Sequence, residues 1–130
     1  MARILIADDA PIMRELLASL LIKGGHEIAA EARNGLEAVE LYLRHRPELI
    51  TMDITMPVMD GITAIRHIRE KDPSAKIVIF SSLGQQNMIA DAIRAGAWDF
   101  VAKPFYESRV LDVVSKALAI PSLTGETGES

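Results

Sequence analysis

Short apolar runs alternate along this chain with longer stretches whose apolar residues return every three or four positions. Arg3–Ala7 and Leu49–Asp53 are nearly continuous in aliphatic residues, 76–80 repeats the pattern, and 100–102 repeats it briefly. Continuous rather than alternating apolarity predicts strands covered on both faces. The run 26–32 has Ile28 as its only large aliphatic residue and is expected to be a short strand at a sheet edge.

Between the strands the period is helical. Ile12, Leu16, Leu17, Leu20 and Leu21 predict a first helix over Pro11–Lys23, with Pro11 tolerated in its first turn and Gly24-Gly25 ending it. Asn34 is placed to cap a second, whose apolar side is Leu36, Val39, Leu41 and Leu43 and which Arg46-Pro47 breaks. Ile62, Ile65 and Ile68 mark a third, closed by Asp72-Pro73. A fourth spans 84–96 with Met88, Ile89, Ala92 and Ile93 expected inward, and a fifth spans 106–119 through Val110, Leu111, Val114 and Leu118. Five strands alternating with five helices predict an α/β fold with right-handed crossovers and one parallel sheet covered on both sides.

The residues at the strand ends carry the chemistry. The first strand stops at Asp8-Asp9, the third at Asp53, the fourth at Ser81-Ser82 and the fifth at Lys103-Pro104. Asp53 then runs into a loop punctuated by Pro57 and Gly61, which places its carboxylate at the carboxyl edge, where open α/β sheets bind ligands. A lone aspartate at such a place is commonly a turn or helix cap. If the four strands are parallel neighbours, three carboxylates, a hydroxyl and an ammonium meet at one edge.

Such a cluster needs a counter-charge. Like charges about 4 Å apart repel by about 4 kcal/mol at an effective dielectric near 20. An all-oxygen donor set suits Mg²⁺ better than zinc. One carboxylate is then left to act as a nucleophile toward a phosphoryl group, with Lys103 and Ser81 as charge and hydroxyl partners. The plainer alternative makes Lys103 simply the counter-ion of an acidic pocket.

Composition narrows the field. The 130 residues are 49% hydrophobic and 25% charged, which fits one soluble globular domain. The net charge of −4 disfavours direct nucleic-acid binding, and no apolar run approaches a membrane span. Cysteine is absent, which removes disulfides and thiolate metal sites and fits a cytoplasmic location. His26, His45 and His67 lack ligand spacing and are expected at the surface. Met52, Met56, Met59 and Met88 are expected mostly as core or loop packing. The segment 120–130, rich in Gly, Ser and Thr, is expected to be a disordered tail, either a natural terminus or the start of a linker.

Asp8-Asp9, Asp53 with Met56-Pro57 and Asp60-Gly61, Ser81, and Lys103-Pro104-Phe105 resemble the receiver domain of two-component response regulators. The resemblance covers about residues 3–119, assigning 1–119 as one receiver domain. The wording Asp53-Ile54-Thr55-Met56-Pro57 with Gly84-Gln85-Gln86 is most similar to stand-alone CheY-type chemotaxis regulators. It implies a single-domain (βα)5 doubly wound fold, flavodoxin-like, with strand order 2-1-3-4-5.

The resemblance further implies that Asp53 is the phosphoacceptor, receiving the group from a phosphohistidine on a CheA-like sensor histidine kinase. Asp9, Asp53 and the backbone carbonyl of Thr55 would hold Mg²⁺, with Asp8 acting through water. Ser81 and Lys103 would contact the phosphoryl oxygens, and Phe100 would swing inward as the switch aromatic. A cis peptide between Lys103 and Pro104 is expected. The implied output is a flagellar motor switch protein or another output protein, and the implied role is a phospho-accepting signalling protein that catalyses only its own phosphotransfer and dephosphorylation. Thr55 and Leu83, two residues after Asp53 and Ser81, stand at positions that resemble the Asn and Glu sites of the enteric chemotaxis regulator that act on attacking water. Leu83 cannot hold water, so unaided dephosphorylation is expected not to be fast and to be assisted by a phosphatase.

Three other classes compete. A flavin-binding fold would need a phosphate loop where Asp8-Asp9 would repel the phosphate. A haloacid-dehalogenase-type phosphatase needs an acid where Thr55 stands. A receiver cut from a larger regulator with a DNA-binding or methylesterase output remains compatible with the tail. Trp98, just before the fifth strand, is read equally as core packing or partner contact.

Overall fold

A computed structural model describes residues 1–121. The order is β1 (Arg3–Ala7), α1 (Pro11–Lys23), β2 (Glu27–Ala32), α2 (Gly35–His45), β3 (Leu49–Asp53), α3 (Gly61–Lys71), β4 (Ile77–Ser81), α4 (Gln86–Ala95), β5 (Asp99–Ala102) and α5 (Glu107–Leu118). The five strands form one parallel sheet in the order β2-β1-β3-β4-β5, as the resemblance implied. The part of the expected disordered tail from residue 122 onward lies outside the described residues.

Strand alternation divides the core. Ile4, Ile6, Leu49, Val78, Phe80 and Val101 point to one face, where Leu17, Leu20 and Leu21 of α1 and Val110, Val113 and Val114 of α5 cover them. Leu5, Ile50, Met52, Ile77 and Ile79 point to the other, beneath Tyr42 of α2, Ile65 and Ile68 of α3 and Ala92 of α4. Burying each such aliphatic side chain contributes about 1.5–3 kcal/mol. Two sheet faces and flanking helices therefore explain why the central strands read as unbroken apolar runs.

Several helix faces differ from the sequence reading. In α1, Leu17, Leu20 and Leu21 are buried, but Ile12 is 80% and Leu16 50% exposed. The expected apolar stripe was wider than the strip of sheet α1 covers. In α2, Leu36 is exposed and Ala38 with Tyr42 takes the inward positions. In α4 only Ala92 is fully buried; Ile89 packs partly, and Met88 and Ile93 are exposed. That helix lies on the margin of the sheet, where the four-residue β5 offers a narrow surface. β4 begins at Ile77, one residue after the expected start, and the Lys76 ammonium donates to the Leu118 carbonyl at 3.3 Å.

The chain direction places the ligand edge. β1 feeds β2 on one side and β3 continues on the other, so their connecting loops diverge and leave a crevice beyond the carboxyl ends of β1 and β3. Asp8, Asp9 and Asp53 stand at that crevice.

Candidate functional site

Local structure fixes each acidic residue. Asp8 ends β1 and is 2% exposed; its Oδ1 accepts the Ala10 N–H at 2.9 Å, and its backbone carbonyl accepts from Arg14 at 2.7 Å. Asp9 follows at the surface. Asp53 ends β3 and is 8% exposed. The loop after it closes tightly: Gly61 N–H donates to the Ile54 carbonyl at 2.7 Å, and a Cβ on Gly61 would lie 2.3 Å from the Asp53 carbonyl oxygen. Only glycine fits that close approach. Asp60 caps α3, its Oδ1 accepting the Thr63 N–H at 2.8 Å, so this acid anchors the loop rather than joining the cluster.

The three carboxylates converge as expected: Asp8, Asp9 and Asp53 each present an oxygen within 4.8 Å of the others. Lys103, from the end of β5, places Nζ 3.1 Å from Asp8 Oδ2 and 3.2 Å from Asp53 Oδ1. Its backbone N–H donates to the Ser81 carbonyl at 2.7 Å, tying the β5 and β4 ends together. The Lys103–Pro104 peptide is cis. Burial, opposed by Lys103 and reinforced by the charges of Asp8 and Asp9, pushes the Asp53 carboxyl up to about 6. Burial alone would lower Lys103, but the Asp53 and Asp8 charges outweigh it and raise the ammonium.

Ser81 is buried at the end of β4, and Phe100 is half-buried on β5. Phe100 pairs in register with Ile79, and Ser81 with Ala102, so Ser81 and Phe100 project to the same α4-covered face, offset by two residues. The Phe100 ring also lies under the Arg109 guanidinium, 6.0 Å from its carbon. Thr55 is exposed, and its Oγ1 accepts from the Gln85 amide at 2.5 Å. Leu83 is exposed at the tip of the β4–α4 turn.

Other candidates fall outside. Trp98 is part-exposed at the opposite, amino edge of the sheet, lining a cavity of about 380 Å³ with Arg69, Lys76 and Ile120. The Trp98 backbone N–H donates to the Ile77 carbonyl at 2.8 Å. His26 is half-buried rather than on the surface, with Nδ1 accepting the Ala2 N–H at 3.2 Å; burial and then the N-terminal charge lower its pKa. His45 is likewise half-buried and His67 exposed, and neither belongs to the acidic cluster. Met52 and Met56 are core residues, whereas Met88 is exposed. Two supports were missed in the sequence: Arg14, which holds the Asp8 backbone, and Gln85, which holds Thr55. Gln85 belongs to the Gly84-Gln85-Gln86 wording, which marks the turn but not its contact with Thr55, and Arg14 is a single basic residue in an apolar helical stretch whose partner no local signal gives.

The chain is a doubly wound parallel sheet that carries three carboxylates and a lysine at its carboxyl edge. Residues 4–115 match the model of the response regulator receiver domain. The chain belongs to that family, the phosphorylation-activated switches of two-component systems. It is 54% identical over 116 residues to the chemotaxis protein CheY of Bacillus subtilis (strain 168), covering 89% of this chain and 97% of that one. It is 53% identical over 114 residues to CheY of Thermotoga maritima, covering 88% and 95%. Among solved structures, a CheX-CheY-BeF3-Mg+2 complex from Borrelia burgdorferi superimposes with a TM-score of 0.86 at 34% identity, covering 91% of this chain and 90% of that one. Among the described residues, no helix is long and apolar enough to cross a membrane.

Proposed function

We propose that Asp53 is the phosphoryl acceptor of a chemotaxis switch, and that residues 1–119 form the receiver that carries it. The observation that supports this most is the single ammonium, Lys103, held by both Asp8 and Asp53 beside a third carboxylate. The donor chemistry fits Mg²⁺: the cluster offers only hard oxygen atoms, and one ammonium offsets three negative charges. Asp9 and Asp53, with the Thr55 backbone carbonyl, would hold the ion. Both Asp8 oxygens are already engaged, by Ala10 and Lys103, which favours its acting through water. The bound ion supplies charge neutralisation for the phosphoryl oxygens and a template for in-line approach.

The residues of the chain then have defined parts. An Asp53 carboxylate oxygen forms a bond to phosphorus as the bond from phosphorus to the donor histidine nitrogen breaks. The electron pair leaves on the imidazole. Lys103 turns from pairing a carboxylate to pairing a phosphoryl oxygen, and Ser81 donates its hydroxyl to another. The added charge of about −1.5 to −2 draws Ser81 toward it. Ser81 and Phe100 share a sheet face, so that displacement opens space for the aromatic ring and reshapes the surface of α4, β5 and α5.

Near-complete switching requires about 5.5 kcal/mol of differential stabilisation. Two or three charge-assisted hydrogen bonds, at about 1.5–3 kcal/mol each, supply that range. The phosphodonor is a sensor histidine kinase, the output a flagellar motor switch protein or another output protein, and a phosphatase resets the switch. The near-whole alignment with chemotaxis regulators supports this output over a DNA-binding or methylesterase one.

Incubation with acetyl phosphate and Mg²⁺ tests the assignment. Wild-type protein is expected to take up an acid-stable, base-labile phosphoryl group, and Asp53→Asn to take up none. Undiminished labelling of Asp53→Asn would contradict it.

A further inference from the structure

Gln85 stands at the junction of α4 with the β4–α4 turn, and its side-chain amide is engaged at both ends. The Ser82 N–H donates to Gln85 Oε1 at 2.6 Å, and Gln85 Nε2 donates to Thr55 Oγ1 at 2.5 Å. Only one amide orientation satisfies both, because the Ser82 N–H requires the oxygen. The Gln85 N–H also donates to the Ser82 carbonyl at 3.2 Å, closing a turn in which Gly84 has φ +90°. With its amide committed, Gln85 leaves the first turn of α4 without a side-chain cap. Among the described residues, the Gln85–Thr55 contact is the only side-chain hydrogen bond joining the loop after Asp53 to the turn after Ser81.

We infer that Gln85 is a positioning residue that couples metal binding at the Thr55 loop to order in the turn that follows Ser81. This rests on the reading of Asp9, Asp53 and the Thr55 carbonyl as a divalent-cation site. A cation that fixes the Thr55 carbonyl also fixes its hydroxyl; the hydroxyl fixes the Gln85 amide, and the amide fixes Ser82. Linkage makes the effect reciprocal, so a turn ordered through Ser81 strengthens the grip on the cation. The sensor loop and the switch loop are thereby joined through a side chain that touches neither phosphorus nor metal.

Amide hydrogen exchange over residues 82–88, with and without saturating Mg²⁺, reads this coupling. Mg²⁺ is expected to slow exchange there about three- to ten-fold in the wild type, the effect of one hydrogen bond. The slowing is expected to vanish in Gln85→Ala, in Thr55→Val, which keeps the backbone carbonyl, and in the double variant, with no further loss on combining them. Persistence of the slowing in either single variant would overturn the coupling. Mn²⁺ binding followed by electron paramagnetic resonance separates the two levels. Binding by the wild type and by Gln85→Ala, abolished in Asp9→Asn, upholds the cation site, so that persistent slowing in Gln85→Ala defeats the coupling alone. Absence of Mn²⁺ binding in the wild type would overturn the site and the coupling together.

Discussion

Lys103 Nζ lies 3.2 Å from Asp53 Oδ1 although the two residues are separated by 50 positions in the chain. The contact exists because β5 and β3 flank β4 in a parallel sheet, which brings their carboxyl ends to one edge. Burial holds the Asp53 carboxyl up near 6, and the ammonium is what restrains it from going higher. Lys103→Met is therefore expected to raise the Asp53 pKa further above 6. The titration of the Asp53 carboxyl carbon by NMR reads this directly; an unchanged or lowered value would show that the ammonium does not act on Asp53.

The same raised pKa makes metal-free stability depend on pH in a fixed direction. The unfolded carboxyl titrates near 3.8 and the folded one near 6. Between these values the folded state holds a proton that the unfolded state has released. Stability from Asp53 is therefore full below about 4, is lost as pH rises through about 6, and stays lost above. Asp53→Asn is expected to be more stable than wild type at pH 7.5 without Mg²⁺, by about 1–3 kcal/mol. The gain is expected to shrink toward pH 4.5. Urea denaturation at the two pH values checks the sign, and a gain that grows on acidification would contradict it. Mg²⁺ is expected to stabilise the wild type and not the variant.

Thr51 lies in the middle of β3, in register with Ile6 and Val78, and its Oγ1 is the one buried side-chain polar atom among the described residues without a hydrogen-bond partner. A buried unpaired hydroxyl costs about 1–3 kcal/mol. Thr51→Val keeps the shape and removes the hydroxyl, so thermal unfolding is expected to show a gain of about 1 kcal/mol. A loss of stability would mean that the hydroxyl is satisfied in solution.

The strands and the chemistry at their ends were legible in the sequence because both rest on local signals, whereas the strand order that brings those ends together came from the family resemblance. Unbroken runs such as Ile4-Leu5-Ile6 and Ile77-Val78-Ile79 mark strands buried on both faces, and the chemistry-bearing residues follow each strand directly. Helix faces were less legible, since the period gives an apolar stripe but not how much of it the sheet covers. Ile12, Leu16, Met88 and Ile93 carry that error. The contacts of Gln85 and Arg14 were not legible because they depend on which loops meet in space.

Val58 adds backbone strain beside the site. It adopts φ 70°, and the loop around it closes with the Met59 N–H donating to the Pro57 carbonyl at 2.7 Å. A β-branched residue in that region is strained by about 1–3 kcal/mol. Val58→Gly removes the strain but adds about 0.5–1 kcal/mol of unfolded-state entropy. A net gain of about 1 kcal/mol is expected in denaturant titration; destabilisation would show that the loop tolerates valine without strain.

The most direct measurement is to locate the phosphoryl group itself. Protein phosphorylated with acetyl phosphate and Mg²⁺ is trapped by borohydride, which converts an aspartyl phosphate to homoserine, and its peptides are sequenced by mass spectrometry. The account predicts homoserine at position 53 alone. Homoserine at position 8 or 9, or a phosphoryl group retained on His26, His45 or His67, would contradict it.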